Sequence, residues 1–238
     1  MLTDAEIRTR LSERLVAIES RINAACARAG RDRAAVTLIA VTKTVSPRVA
    51  GLLPDLGLLD LGESRPQELW RKAEALKNWP IRWHFIGHLQ RNKVERTLPL
   101  VHRIHTVDSE RLLEAIAAEG VKAGIRPKVL LQINASREEQ KHGFTFDEFA
   151  GLKDTIARLP VEVSGVMCIA ADADDPELAR PAFAELRLRC RWWWAEWKGF
   201  AQNIDLSMGM SGDFEVAIEE GATYIRIGST LFEGLENE

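Results

Sequence analysis

The 238-residue chain has the composition of an ordinary folded protein, with 46% hydrophobic and 28% charged residues. This length is enough for one complete hydrophobic core, so we expect a single domain over residues 1–238. The net charge of −3 leaves no basic excess to neutralise a nucleic-acid backbone, and no run of apolar residues is long enough to span a membrane. Composition therefore argues against nucleic acid and against a membrane as partners.

The cysteines and the N-terminus indicate a cytoplasmic location. Cys26, Cys168 and Cys190 lack the paired spacing of a zinc site or of a disulfide framework. The first ten residues mix charged side chains with apolar ones and so lack the apolar core of a secretory signal. We predict buried thiols in a reducing compartment.

The chain begins with a helical pattern and continues with alternating strands and helices. Residues 4–28 repeat apolar side chains at spacings of three and four, which predicts an amphipathic helix ending near Gly30. Apolar runs bounded by turn residues predict strands at 36–42, 58–62, 82–87, 103–107, 128–134, 162–168, 205–208 and 223–227. Helical patterns between the strands cover 65–77, 109–123, 146–158, 177–198 and 213–219.

This alternation is typical of repeated βα units around a parallel sheet. Eight strands favour a closed (β/α)8 TIM barrel preceded by an extra N-terminal helix, although an open, doubly wound sheet has the same local pattern. A cluster of tryptophans at residues 192–197 predicts packing of a helix on the barrel, with one or two rings left exposed.

A lysine follows the first predicted strand, in Ala40-Val41-Thr42-Lys43-Thr44. The carboxyl ends of barrel strands form the mouth where active sites lie. An amine at this place is either only solvated or, if its neighbours lower its pKa, a nucleophile that can form a Schiff base with an aldehyde. The strand alone leaves both interpretations open.

Two small, hydroxyl-rich loops follow the last two strands, with SMGMSGD at 207–213 and GST at 228–230. Barrels often bind phosphate at these two loops, because glycines let backbone N–H groups approach it. Each loop alone is equally compatible with an ordinary turn and a capping serine. Arg226, on strand eight, should project toward the mouth, where a buried guanidinium needs either a carboxylate or a ligand heteroatom as its partner.

Two histidines lie in the segment WHFIGHLQRNK at 83–93. His84 and His88 are four residues apart, a spacing that suits a metal only when both lie on one helix. Because His84 falls on a strand, a metal site is disfavoured. A histidine that lines the pocket or caps the next helix is the better interpretation.

At these residues the chain resembles the YggS/PROSC family of proteins that bind pyridoxal 5'-phosphate (PLP). The similarity covers nearly the whole chain. The resemblance implies the barrel of the alanine racemase N-terminal domain, PLP as cofactor and a Schiff base on Lys43. The chain departs from the family where Ser64 replaces a common asparagine near the ring hydroxyl and where His88 replaces a common proline. The matching stretches are AVTKT (40–44), LGES with PQEL (61–69), WHFIGHLQRNK (83–93), HTVDS (105–109), KHGF (141–144) and residues 206–233.

The resemblance also implies roles for individual residues. Arg226 would meet the pyridine nitrogen, while Ser211, Gly228 and Ser229 would hold the phosphate. His84 would lie nearer the ring. The full set of cofactor-binding residues that the resemblance implies is Lys43, Ser64, His84, Ser207, Met208, Ser211, Arg226, Gly228 and Ser229.

The expected chemistry favours holding PLP over driving a reaction. Arginine does not readily give up a proton, so Arg226 would disfavour the delocalised carbanion that an aspartate partner supports. Tyr224, the only tyrosine, begins strand eight on the side away from the mouth, so the second acid/base of a racemase is missing. We predict a monomeric carrier that stores PLP and delivers it to apo PLP-dependent enzymes. Two alternatives stay open: a PLP-dependent racemase or related enzyme for a small amino acid, and a barrel enzyme for sugar phosphates without PLP.

Overall fold

The computed structural model describes residues 2–135, 142–171, 173–197 and 204–236. Every predicted strand is present there, with ends within two residues of those expected. The strands are β1 Thr37–Val41, β2 Asp60–Glu63, β3 Arg82–Phe85, β4 Arg103–Val107, β5 Lys128–Gln132, β6 Glu162–Met167, β7 Asp205–Ser207 and β8 Tyr224–Ile227. The helices are α1 Asp4–Arg28, α2 Pro47–Ala50, α3 Pro66–Ala75, α4 Val94–Thr97, α5 Glu110–Ala123, α6 Phe146–Ala150, α7 Lys153–Arg158, α8 Arg180–Glu196, α9 Phe214–Glu219 and α10 Ser229–Phe232.

The strands form a closed parallel barrel in chain order, and β8 pairs with β1 to complete it. Thr37 pairs with Tyr224 and Ala40 with Ile227 at this junction. The barrel prediction is confirmed, and an open doubly wound sheet is excluded. All strand carboxyl ends therefore meet at one mouth, so the candidate residues that follow different strands can lie close together.

Strand alternation separates an apolar outer face from an interior that contains polar as well as apolar side chains. On β8, Ile225 and Ile227 pack in the main hydrophobic core with the helices. Tyr224 and Arg226 alternate with them and contact polar groups of other strands across the barrel. These polar side chains interrupt the branched apolar layers that usually fill such barrels.

Helix α1 packs on the outside of the barrel, along α9 and α10. Thr3 caps its first turn in a reciprocal arrangement with Glu6. Arg21 forms a bidentate pair with Glu215 of α9, at 3.2 and 2.8 Å. The predicted extra helix over 4–28 is thus confirmed. None of the helices in the described ranges has the length and apolarity needed to cross a bilayer.

Two predicted helices differ from the structure. The predicted helix over 146–158 is divided into α6 and α7 at Gly151. The N–H of Gly151 donates to the carbonyls of Asp147 and Glu148, and α6 ends there. The predicted helix over 177–198 begins with a tight turn, Pro176–Ala179, before α8, and its expected end at residue 198 lies outside the described residues.

The tryptophan cluster packs as predicted. Trp193 and Trp197 of the α8 end are buried against Phe149 of α6, with ring centroids 4.5 and 5.1 Å away. Trp192 points outward and is exposed. Trp194 is half-buried and stacks on Trp197, with ring centroids 6.4 Å apart. The cluster therefore serves helix packing, which explains three of its rings without a ligand.

Candidate functional site at the barrel mouth

Lys43 lies at the mouth, two residues beyond the end of β1, and is exposed. The preceding residue, Thr42, is fully buried and is fixed to the neighbouring strand: both its N–H and its hydroxyl donate to the Gly62 carbonyl, at 2.8 and 3.1 Å. The lysine is therefore presented to solvent from a rigid base.

A buried ion pair that the sequence analysis missed supports this base. Lys72 Nζ of α3 lies 2.6 Å from Glu63 Oε2 and 2.5 Å from the Thr42 carbonyl oxygen, and both charged side chains have no exposed surface. The other Glu63 oxygen accepts the N–H of Ser64 at 2.7 Å and of Arg65 at 3.3 Å. One pair thus joins the ends of β1 and β2, directly below Lys43 and Ser64.

Ser64 is half-buried, and the loop after β3 closes on it. A Cβ atom on Gly87 would fall 1.9 Å from the Ser64 carbonyl oxygen, so only glycine fits. The structure therefore holds Ser64 at the mouth between the ends of β2 and β3.

The loops after β7 and β8 meet at the same mouth. Ser211 Oγ accepts the N–H of Thr230 at 3.4 Å. A Cβ on Gly228 would lie 3.3 Å from Val41, so the β8 loop packs closely on the end of β1, two residues before Lys43. Gly228 is half-buried and Ser229 is exposed. The structure thus brings together the two loops that the sequence analysis considered for phosphate.

Arg226 is buried, and its hydrogen-bond partners among the described residues are neutral. Its guanidinium donates to Ser207 Oγ at 2.7 Å and to the Cys168 carbonyl at 2.9 Å. Burial lowers its pKa, yet a guanidinium stays protonated in proteins. Neither of these hydrogen bonds goes to a carboxylate, and the Asp213 carboxylate acts on the guanidinium through its charge, which raises the pKa of Arg226 against the effect of burial. Met208, next to Ser207, is fully buried.

A chain of buried hydrogen bonds runs from Arg226 down through the barrel. Ser207 Oγ lies 2.8 Å from His105 Nδ1. His105 Nε2 lies 2.9 Å from His84 Nδ1, and His84 Nε2 lies 3.0 Å from Asp60 Oδ1. We call Arg226, Ser207, His105, His84 and Asp60 the interior relay.

When both imidazoles are neutral, the two ends of the interior relay fix the direction of every proton in it. Arginine only donates and a carboxylate only accepts. Ser207 must therefore accept from Arg226 and donate to His105, and each histidine must carry its proton on Nε2 and accept at Nδ1. Both imidazoles are neutral in this arrangement, so they transmit no charge to the guanidinium.

The electrostatics of the interior relay agree with this assignment. Burial lowers the pKa of His84, and lowers that of His105 well below its usual value. Burial alone would raise the pKa of Asp60, but hydrogen bonds from His84 and Arg82 outweigh it and hold the carboxyl ionised. The relay therefore places its negative charge far from Arg226.

His84 and Tyr224 both lie below the mouth. His84 reaches Arg226 only through two intermediate groups of the relay, so its predicted place near a cofactor ring stays a prediction. The centroid of the Tyr224 ring lies 5.8 Å from the centroid of the His84 ring and 5.5 Å from that of the His105 ring. It lines a cavity with the strand starts Thr37 and Asp205, at the end of the barrel away from Lys43, as the sequence analysis expected.

Comparison with known proteins identifies the family. The family described as alanine racemase, N-terminal domain, matches residues 14–236. A curated relative from Aquifex aeolicus, named pyridoxal phosphate homeostasis protein, is 42% identical over 221 residues, which cover 92% of this chain and 96% of the relative. The solved structure of an unknown protein from Bifidobacterium adolescentis has a TM-score of 0.89 and 35% identity and covers 98% of both chains.

A second solved structure carries a ligand. PipY from Synechococcus elongatus, solved with PLP bound, has a TM-score of 0.82 and 29% identity, with 93% of this chain and 99% of PipY covered. Sequence, length and fold agree across these comparisons, and the chain belongs to the family of pyridoxal phosphate homeostasis proteins.

Proposed function

We propose that this protein binds PLP as a reversible Schiff base on Lys43 and contributes to PLP homeostasis by storing PLP and delivering it to apo-enzymes, as a monomer in the cytoplasm. The observation that carries the proposal is the joint placement, at one barrel mouth, of an exposed primary amine and a buried guanidinium whose described hydrogen bonds go to neutral groups. The PLP bound to PipY supports it.

The residues at the mouth fit PLP group by group. The aldehyde requires an amine, which Lys43 offers. The pyridine nitrogen is an acceptor, and Arg226 is a buried donor whose described hydrogen-bond partners are neutral. The phosphate requires several hydrogen-bond donors, which the Ser211 hydroxyl and the backbone around Gly228 and Ser229 supply.

PLP supplies an electrophilic aldehyde and an electron-accepting ring when it is bound. Lys43 would hold the aldehyde through its primary amine, the nucleophile that reversible capture of an aldehyde requires. Because Thr42 is fixed by Gly62 and by Lys72, the backbone from which the Lys43 side chain extends has a fixed position.

The interior relay favours holding over turnover. Neutral Ser207 and His105 leave the protons of Arg226 in place, so the arginine donates to an unprotonated pyridine and weakens the ring as an electron acceptor. Tyr224 lies at the opposite end of the barrel from Lys43 and is out of reach as a second acid/base. These two features support a carrier over a racemase.

The test is a transfer experiment with PLP-loaded protein. We expect an absorbance band of a lysine-bound PLP that borohydride abolishes, loss of that band in Lys43→Ala, and its retention in Lys77→Ala, a matched exposed lysine. Loaded protein should activate an apo PLP-dependent enzyme faster than spontaneous release allows. Activation at the release rate would refute delivery and leave storage.

Steady racemisation of a small amino acid, lost in Lys43→Ala, would instead establish the enzyme alternative. Absence of the band from protein exposed to excess PLP would favour the sugar-phosphate alternative.

A further inference from the structure

Three metal-ligating side chains converge at the rim of the barrel, outside the proposed PLP site. His88 follows β3, Asp108 follows β4 and His142 follows β5, and we call them the rim cluster. His88 Nδ1 lies 3.0 Å from Asp108 Oδ2, and His142 Nδ1 lies 3.8 Å from the same oxygen. The three candidate ligand atoms all lie within 4.8 Å of one another.

The backbone holds the rim cluster in place. Asp108 comes directly after β4, and its side chain is only 9% exposed. The carbonyl of His142 accepts a hydrogen bond from the Gln132 side chain of β5 at 2.9 Å. Two residues later, the N–H of Phe144 donates a hydrogen bond to the Gln132 carbonyl at 2.8 Å. The two imidazole rings stack with centroids 4.7 Å apart.

We propose that the rim cluster is a binding site for Zn²⁺ or a similar borderline divalent cation. Two imidazoles and one carboxylate are a ligand set typical of zinc sites that keep a position open. A tetrahedral ion with bonds of about 2.0–2.2 Å places its ligand atoms about 3.3–3.6 Å apart. The two distances to the carboxylate oxygen, 3.0 and 3.8 Å, bracket that range, and the two imidazole nitrogens lie within 4.8 Å of each other, so side-chain rotation would have to complete the geometry.

The fourth position would face a cavity. His88 and Asp108 line a cavity of about 530 Å³ together with Arg91 and Arg111. Two guanidiniums beside a bound cation favour an anion, such as a carboxylate or phosphate, over a second cation as the remaining ligand. The site thus combines a Lewis acid with groups that bind anions, and its residues follow β3, β4 and β5, whereas Lys43 follows β1.

A simple ion pair is the competing interpretation. The His88 contact to Asp108 would then be an ordinary hydrogen bond, but the 3.8 Å approach of His142 to the same oxygen is too long for one. A cation gives both imidazoles a reason to face one carboxylate oxygen. The two interpretations differ in whether zinc binds at one equivalent.

The experiment is a zinc titration of the PLP-loaded protein against a coloured chelator, in phosphate-free buffer. We expect one equivalent of Zn²⁺ to bind, and binding at least about tenfold weaker in His88→Ala, His142→Ala and Asp108→Asn. His102→Ala removes a histidine outside the cluster and should leave the affinity unchanged. Mg²⁺, which prefers oxygen ligands, should not compete.

A second measurement identifies the ligands. Co²⁺ in place of Zn²⁺ should give the visible bands of a tetrahedral nitrogen and oxygen site, with no thiolate charge-transfer band, since Cys26, Cys168 and Cys190 are buried. A thiolate band, absence of an equivalent of bound zinc, or undiminished binding in Asp108→Asn would overturn the proposal. Lys43→Ala should bind zinc like the unaltered chain, so failure of the PLP proposal and failure of the metal proposal are separate results.

Discussion

Replacing Lys72 by methionine should destabilise the protein strongly. The substitution keeps the volume of the aliphatic chain but removes the ammonium that bonds Glu63 Oε2 at 2.6 Å and the Thr42 carbonyl at 2.5 Å. Glu63 would be left as an uncompensated charge with no exposed surface, a change that typically costs about 3–5 kcal/mol. For a chain of this length, that corresponds to a fall of roughly 6–20 °C in Tm.

The assay is urea and thermal unfolding of the Lys72→Met protein, with two comparisons. A second substitution, Glu63→Gln, removes the buried charge but keeps an oxygen for the Ser64 N–H, so the double variant should recover most of the loss. Lys77→Met breaks an exposed pair with Glu74 and should change nothing measurable. A fall in unfolding free energy of less than about 1 kcal/mol for Lys72→Met would refute this account of the ion pair, and so would a double variant less stable than Lys72→Met alone.

Three further results are expected. Because burial lowers the pKa of His84 and His105, the unfolded chain takes up protons that the native one does not, and the unfolding free energy should fall as pH drops below about 6.5. Replacing His105 by glutamine should reduce the slope of unfolding free energy against pH by up to about 1.4 kcal/mol per pH unit, measured by urea unfolding at several pH values. An unchanged slope would contradict the assignment of a neutral His105. Gly87→Ala should lower the free energy of unfolding by at least about 3 kcal/mol in chemical denaturation, while Gly212→Ala, whose added Cβ meets no atom within 4 Å, should lower it little. Equal effects of the two substitutions would count against the close approach of Gly87 to Ser64. Arg226→Ala should speed PLP loss on dilution at least about tenfold, as expected for loss of a charged donor, and unaltered retention would remove the arginine from the site.

The architecture was predictable because it follows from local patterns. Apolar residues repeat with a period of two in the strands and of 3.6 in the helices, and the number of strands favoured closure of the sheet into a barrel. The division of the helix over 146–158 was not foreseen, since Gly151 is tolerated within helical patterns and acts as a stop only when its N–H bonds back to the preceding turn.

The mouth was predictable in part. Lys43, Arg226 and the loops at Ser211 and Gly228 follow strand ends, and strand ends meet in any parallel barrel. Which partner satisfies Arg226 depends on its neighbours across the barrel, and chain order alone does not reveal them.

The interior relay and the ion pair were missed because they depend on contacts between distant segments. A usable signal existed for His105, since the alternation in Arg103-Ile104-His105 places two polar side chains on one face of β4. Lys72 shares the buried face of α3 with Leu69, three residues earlier, and that apolar spacing was the signal for a buried lysine.

The most direct test of the central claim is peptide mapping by mass spectrometry after PLP-loaded protein is reduced with borohydride. The account predicts one pyridoxyl group per chain, on the peptide that contains Lys43, and its absence in Lys43→Ala. A pyridoxyl group on another lysine, or none on a chain that nevertheless retains PLP, would contradict it.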